Sequence, residues 1–247
     1  MLNMKDEFTF KQFSIRQDRC GMKVGTDGVL IGAFAGQTLW DKREAPLRIL
    51  DIGTGTGLIA LMLAQRFPNA QVDALDIDAD ACAQAGENVA ASPFLKRVKI
   101  FEESLQEFSM GAERELGNYD LIVSNPPFFV NSLKNPDTKR SRARHTDTLP
   151  FLELVRCSKL LLNDTGILSV ILPSDVSKDF ASECALTGLF PARQCNVKTV
   201  ERKQPKRVLL EYQKCRPEQV KITTEVMMDS EGNRSEWYVK LTDEFYL

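Results

Sequence analysis

Asn125, Pro126, Pro127 and Phe128 follow directly on the apolar run Tyr119 to Ser124, and no other four residues of the chain carry as much chemistry. Proline has no N–H to give a sheet ladder, so a strand must stop here, and the residue before each proline is held extended. A planar exocyclic amine or an amide is a poor nucleophile because its lone pair is delocalised. The side-chain oxygen of Asn125 and the backbone carbonyl of Pro126 can accept its hydrogens and draw the nitrogen toward a tetrahedral, nucleophilic state. The ring of Phe128 can stack on a flat substrate. No general base is required, since the nitrogen becomes acidic once it has been alkylated and then loses its proton to water. Positioning and electrostatics carry the rate in such a site, and orientation alone supplies about 7 kcal/mol or more.

The second constellation is Asp51 with Gly53, Gly55 and Gly57. A short apolar run from Arg48 to Ile52 leads into three alternate glycines, and Leu58 to Phe67 then takes up helical spacing, so the segment reads as strand, turn and helix. Glycine permits positive φ and close approach of a ligand to the backbone. A dinucleotide fingerprint would need its third glycine at the position held by Leu58, which disfavours nicotinamide and flavin cofactors. Asp76 stands 25 residues after Asp51 at the end of the apolar run Gln71 to Asp76. An acid there can accept hydrogen bonds from both hydroxyls of a ribose, with helix capping as its plainer role.

These residues need a scaffold that brings strand ends together. From Arg48 onward strands and helices alternate: Asp78 to Ala91 is a helix, Arg97 to Phe101 a strand, Tyr119 to Ser124 a strand, Leu149 to Leu162 a helix, and Gly166 to Leu172 a strand. That order predicts a parallel sheet covered on both faces. Ser174 to Gly188 reads as a helix capped by Ser174, Phe190 to Val200 and Arg207 to Tyr212 as a final hairpin, Lys221 to Val226 as a further edge strand, and Ser235 to Phe245 as a short helix. Ahead of the first central strand, a short hairpin or arm leads to a helix from Asp27 to Gly36 with Asp27 as N-cap, and Thr26 and Asp27 lie near enough to the glycine turn to touch a ligand.

An acid leading into Gly-x-Gly-x-Gly resembles the first motif of the class I methyltransferases that use S-adenosylmethionine. In many of these the end of the third strand gives an aspartate to the cofactor's adenine; here Ser104 holds that place, with Glu103 as its substitute. Asparagine or aspartate before Pro-Pro-aromatic resembles the signature of amino-group methyltransferases acting on adenine N6, cytosine N4, guanine N2 or a glutamine amide. Phe8-Thr9-Phe10-Lys11-Gln12-Phe13, Asp18-Arg19-Cys20, Met22 to Phe34, Arg207 to Leu210 and the closing Phe245-Tyr246-Leu247 resemble the bacterial tRNA1(Val) (adenine-37-N6)-methyltransferase family over nearly the whole chain. Phe128 departs from that family's more familiar tyrosine and is shared with guanine N2 enzymes of ribosomal RNA.

The resemblance implies an α/β, Rossmann-like class I methyltransferase fold: a mostly parallel seven-stranded sheet, helices on both faces and an antiparallel C-terminal hairpin. It implies one methyltransferase domain over 1–247, with 1–47 as arm and helix and 48–247 as catalytic core. The expected cofactor is S-adenosylmethionine, and the expected substrate is N6 of adenosine 37 in the anticodon loop of a valine tRNA. The alternatives are guanine N2 methylation of ribosomal RNA, glutamine methylation of a release factor, and a non-catalytic RNA-binding factor. A release-factor enzyme usually has a separate helical N-terminal domain, and only 47 residues precede Arg48.

Lys134, Lys139, Arg140, Arg142, Arg144 and His145 fall within twelve residues after the catalytic tetrapeptide and form a basic loop placed to hold RNA phosphates. Lys198, Arg202, Lys203, Lys206 and Arg207 make a second basic cluster, to be weighed against an ordinary charged hairpin tip. A net charge of −2 means that any RNA site must be local. Apolar residues at 43% and charged residues at 27% fit a globular protein in water. Six cysteines without a C-x-x-C pair, and a single histidine, argue against zinc, a disulfide framework or a metal site. Reduced thiols, the lack of an apolar targeting segment and the lack of a membrane-length apolar run lead us to expect a cytoplasmic protein with no membrane, metal or DNA partner.

Overall fold

A computed structural model describes residues 7–19, 23–111, 116–127 and 149–247. The short strands β1 (Glu7–Thr9) and β2 (Ser14–Arg16) form an antiparallel hairpin. Helix α1 (Thr26–Phe34) follows, then a 3-10 helix (Gln37–Lys42). The central alternation is β3 (Arg48–Ile52), α2 (Leu58–Arg66), β4 (Gln71–Asp76), α3 (Ala79–Ala90), β5 (Val98–Glu102), α4 (Leu105–Met110), β6 (Tyr119–Ser124), α5 (Phe151–Leu161) and β7 (Leu162–Pro173). After α6 (Ser177–Thr187) come β8 (Phe190–Val200), β9 (Arg207–Gln213), β10 (Lys221–Met228) and α7 (Glu236–Thr242).

The main sheet runs in the order β10-β8-β9-β7-β6-β3-β4-β5. Only β9 opposes its neighbours, pairing antiparallel with both β7 and β8. The seven expected strands are β3 to β9, and the suggested edge strand joins as β10, parallel to β8, to make eight. β3 is an interior strand, third from the β5 edge; both its neighbours are parallel and its residues from Ile49 to Ile52 are buried, as a strand covered on both faces must be.

Two capping assignments need correction. Gly25, not Asp27, occupies the N-cap of α1, and Asp27 instead accepts a hydrogen bond from Nε of Arg207 at 2.7 Å. Helix α6 begins at Ser177 with Val176 at its N-cap, so Ser174 stands outside it and its carbonyl accepts the hydroxyl of Ser177.

The face that carries α1, α2 and α7 is closed by a buried arginine. Arg66 is 1% exposed and donates from Nη1 to the carbonyls of Gly32 and Ala35, which the C-terminal end of α1 leaves without helical partners. Its Nη2 meets Glu244 at 3.2 Å, and its guanidinium lies 5.0 Å from the ring of Phe245. Phe10 stacks on Phe13 and Tyr246, and Lys11 N–H donates to the carbonyl of Phe245, so the arm and the segment after α7 lock together.

Glu211 on β9 is also buried, with Arg193 opposite it on β8 at 3.8 Å. Burial pushes its carboxyl up from 4.5 to about 7. A raised carboxyl favours the folded state while protonated, so that stability is complete below the unfolded value and lost as pH rises through about 7. We expect the melting temperature to fall between about pH 5 and pH 8, and to fall less in Glu211→Gln, which stays neutral throughout. Equal pH slopes for variant and wild type would show that Glu211 is not the titrating group.

Candidate active site

The strand ends converge on the glycine turn. Gly53, Gly55 and Gly57 have φ of 72°, 54° and 82°, in the left-handed region that favours glycine. A Cβ built on Gly53 or Gly55 would meet nothing within 4 Å, so these two present open backbone to whatever lies above them. The N–H groups of Gly53 and Thr54 donate to the carbonyl of Leu75, at 2.9 and 3.0 Å, which pins the turn to β4.

Asp51 lies wholly inside, under the turn. Its Oδ2 accepts from Thr54 Oγ1 at 2.7 Å and from the backbone N–H of Ala60 at 3.1 Å, tying the turn to the first turn of α2. Its Oδ1 is buried with no hydrogen-bond partner, and burial pushes the carboxyl up to about 7. Asp76 closes β4 and accepts from the N–H of Gly55 at 2.8 Å and of Asp78 at 3.1 Å. The capping of α3 falls instead to Asp78, which accepts from Asp80 and Ala81.

Across the turn, β6 ends at Ser124, whose hydroxyl donates to the carbonyl of Ile52 at 2.9 Å. That bond fixes the exit of β6 against the exit of β3. Asn125, the next residue, is half-buried, and its amide has no hydrogen-bond partner among the described residues. Asn125, Pro126 and Pro127 face Gly53 to Thr56 across a cavity of about 550 Å³, with the first turn of α1 from Gly25 to Gly28 as a further wall. That volume lies in the usual range for a small-molecule site. The structure thus brings Gly53, Gly55 and Asn125 to Pro127 together, with Asp51, Gly57 and Asp76 holding the turn from below and beside.

Ser104 has a different local partner. It caps α4 in a reciprocal box with Glu107: its Oγ accepts from Glu107 N–H and donates to Glu107 Oε2 at 2.6 Å. The exit of β5 is still beside Asp76, whose carbonyl accepts the N–H of Glu103 at 3.0 Å. Phe128, Lys139, Arg140, Arg142 and Arg144 lie outside the described residues, as do Lys134 and His145.

Three residues were not singled out as part of the site from the sequence. Lys23 and Val24 line the cavity, because the arm crosses it before entering α1. Asn88, buried on α3, fastens that arm: its Nδ2 donates to the carbonyls of Arg16 and Thr56, both at 2.9 Å, and its Oδ1 accepts from Arg16 N–H at 2.8 Å. An asparagine inside a helix has no periodicity that marks it as a tie to a loop elsewhere.

A doubly wound sheet with a glycine turn after the interior strand β3 and Asn-Pro-Pro at the exit of its neighbour β6 defines a class I methyltransferase. The family described as methyltransferase small domain matches residues 37–179. A Parabacteroides distasonis protein named tRNA1(Val) (adenine(37)-N6)-methyltransferase is 46% identical over 244 residues, 97% of each chain. A Flavobacterium johnsoniae protein of the same name is 44% identical over 240 residues, 97% of this chain and 99% of its own. The chain belongs to the tRNA1(Val) (adenine(37)-N6)-methyltransferase family. Among solved structures, a predicted O-methyltransferase of Agrobacterium tumefaciens superimposes with a TM-score of 0.66 at 14% identity, covering 89% of this chain and 96% of its own, a likeness of fold alone.

Proposed function

We propose that this protein transfers the methyl group of S-adenosylmethionine to N6 of adenosine 37 in the anticodon loop of a valine tRNA, acting in the cytoplasm as one methyltransferase domain over 1–247. The observation that carries the reading is the placement of Asn125, Pro126 and Pro127 opposite Gly53 to Thr56 across one cavity. The relatives' shared name supports the RNA, the base and the position.

The cavity suits this cofactor by its size and by the open backbone of Gly53 and Gly55, with the unpartnered buried Oδ1 of Asp51 beneath the turn. When bound, S-adenosylmethionine supplies an electrophilic methyl group on a sulfonium. Asp76 would take the ribose hydroxyls with the lone pairs that Gly55 and Asp78 leave over, and the exit of β5 at Glu103 and Ser104 would border the adenine. Asn125 Oδ1 and the Pro126 carbonyl accept the two hydrogens of the target amine and localise its lone pair, and Phe128 stacks on the base. The proton of the methylated nitrogen goes to water. A base in structured RNA must first leave its stack at a cost of a few kcal/mol, which makes a loop nucleotide the accessible target. Lys139, Arg140, Arg142 and Arg144 would hold phosphates beside it. The described residues include no group of three or more His, Cys, Asp or Glu that could hold a metal and no helix long and apolar enough to cross a membrane.

The test is methyl transfer from labelled cofactor to total tRNA from cells lacking this gene, with mass spectrometry of the digested nucleosides. N6-methyladenosine confined to a valine tRNA is expected. Label in ribosomal RNA or in protein would overturn the substrate.

A further inference from the structure

The β8–β9 hairpin closes at residues 201–206 at the same end of the sheet as Asn125, the carboxyl end of β6 and β7. Ser124 pairs with Val170 of β7, and three residues further along β7 Pro173 pairs with Arg207. The hairpin therefore rises past the level of Asn125, two strands across in the order β9-β7-β6. Two interstrand spacings put its base about 10 Å to the side of the catalytic strand exit. Arg207 at that base is bonded to Asp27, which lines the cavity, so hairpin and cavity wall are fastened together.

Five cations stand between Lys198 and Arg207, against one acid, Glu201. Lys198 is paired with Glu201 at 3.1 Å and Arg207 with Asp27 at 2.7 Å. Arg202, Lys203 and Lys206 are exposed and have no ion pair among the described residues. In a chain of net charge −2, three unpaired cations at a tip beside the active site are a local field for anions.

We propose that Arg202, Lys203 and Lys206 hold the phosphates of the RNA strand flanking the target nucleotide, an inference that rests on the RNA reading above. Phosphate contacts set affinity and register without choosing the base. Held beside the cavity, the backbone stays in place while one nucleotide turns in.

The test is the full chain carrying Arg202→Gln, Lys203→Gln and Lys206→Gln, assayed on unmodified total tRNA beside the wild type. Loss of three phosphate contacts to a single strand should flatten the slope of log affinity against log salt by about 2, with KM for tRNA raised roughly tenfold at about 0.1 M salt. Cofactor affinity and melting temperature should not change. Unchanged KM and salt slope on a tRNA that the wild type methylates would overturn the inference alone, as would a loss of kcat with no change in either. A wild type that methylates no RNA would overturn the functional reading and the inference together.

Discussion

Asn125→Ala is expected to lower turnover by about 100- to 1,000-fold, the loss seen when one preorganised hydrogen-bonding group is removed from the reacting centre. Cofactor affinity should stay within about twofold of wild type, because the turn that forms the cofactor side is held by its own bonds to Leu75, Asp51 and Asp76. The fold should tolerate the change: the amide has no partner to lose among the described residues, and the strand exit is fixed by Ser124 to Ile52. Asn125→Asp keeps an acceptor at the same point and should recover part of the activity. Single-turnover kinetics with saturating tRNA, beside calorimetric titration of the cofactor, separates the steps. Equal turnover by Asn125→Ala and wild type would remove the proposed role of this residue.

Asp76→Ala is expected to act on the other side of the cavity. The substitution takes away the acceptor of the Gly55 N–H at 2.8 Å and the carboxylate that would face the ribose. Hydrogen bonds to a charged group contribute about 1.5–3 kcal/mol, so cofactor affinity should fall roughly 10- to 100-fold. Turnover at saturating cofactor should change far less, because Asp76 touches neither Asn125 nor the target amine. Calorimetry with S-adenosylhomocysteine, which lacks the reactive methyl group, reads the binding term alone. An affinity equal to wild type would remove Asp76 from the cofactor site.

What could be read from the residues in order was what local physics fixes. Gln71–Asp76 and Tyr119–Ser124 are strands with the bounds expected of them, because an acid and a proline pair end their apolar runs. The glycine turn was equally legible, since alternate glycines mark positive φ. Partners distant in sequence were not. Asp27 reads as a cap, yet its partner Arg207 comes 180 residues later. Ser104 reads as a ligand contact by its position after a strand, and the structure adds a capping box with Glu107, a local signal three residues on. Asp51 reads as a cofactor contact, and only the packing of α2 on β3 shows it enclosed beneath the turn.

The pairing of Arg66 with Glu244 spans 178 residues of chain. During synthesis the arginine, its glycine turn and the central strands emerge from the ribosome long before the acid that neutralises it. A buried charge without its partner costs several kcal/mol, so the face of the sheet that carries α1 and α2 closes less stably around Arg66 at that stage. A product cut short before Glu244 lacks this neutralising contact although it holds the glycine turn and the Asn125 strand exit.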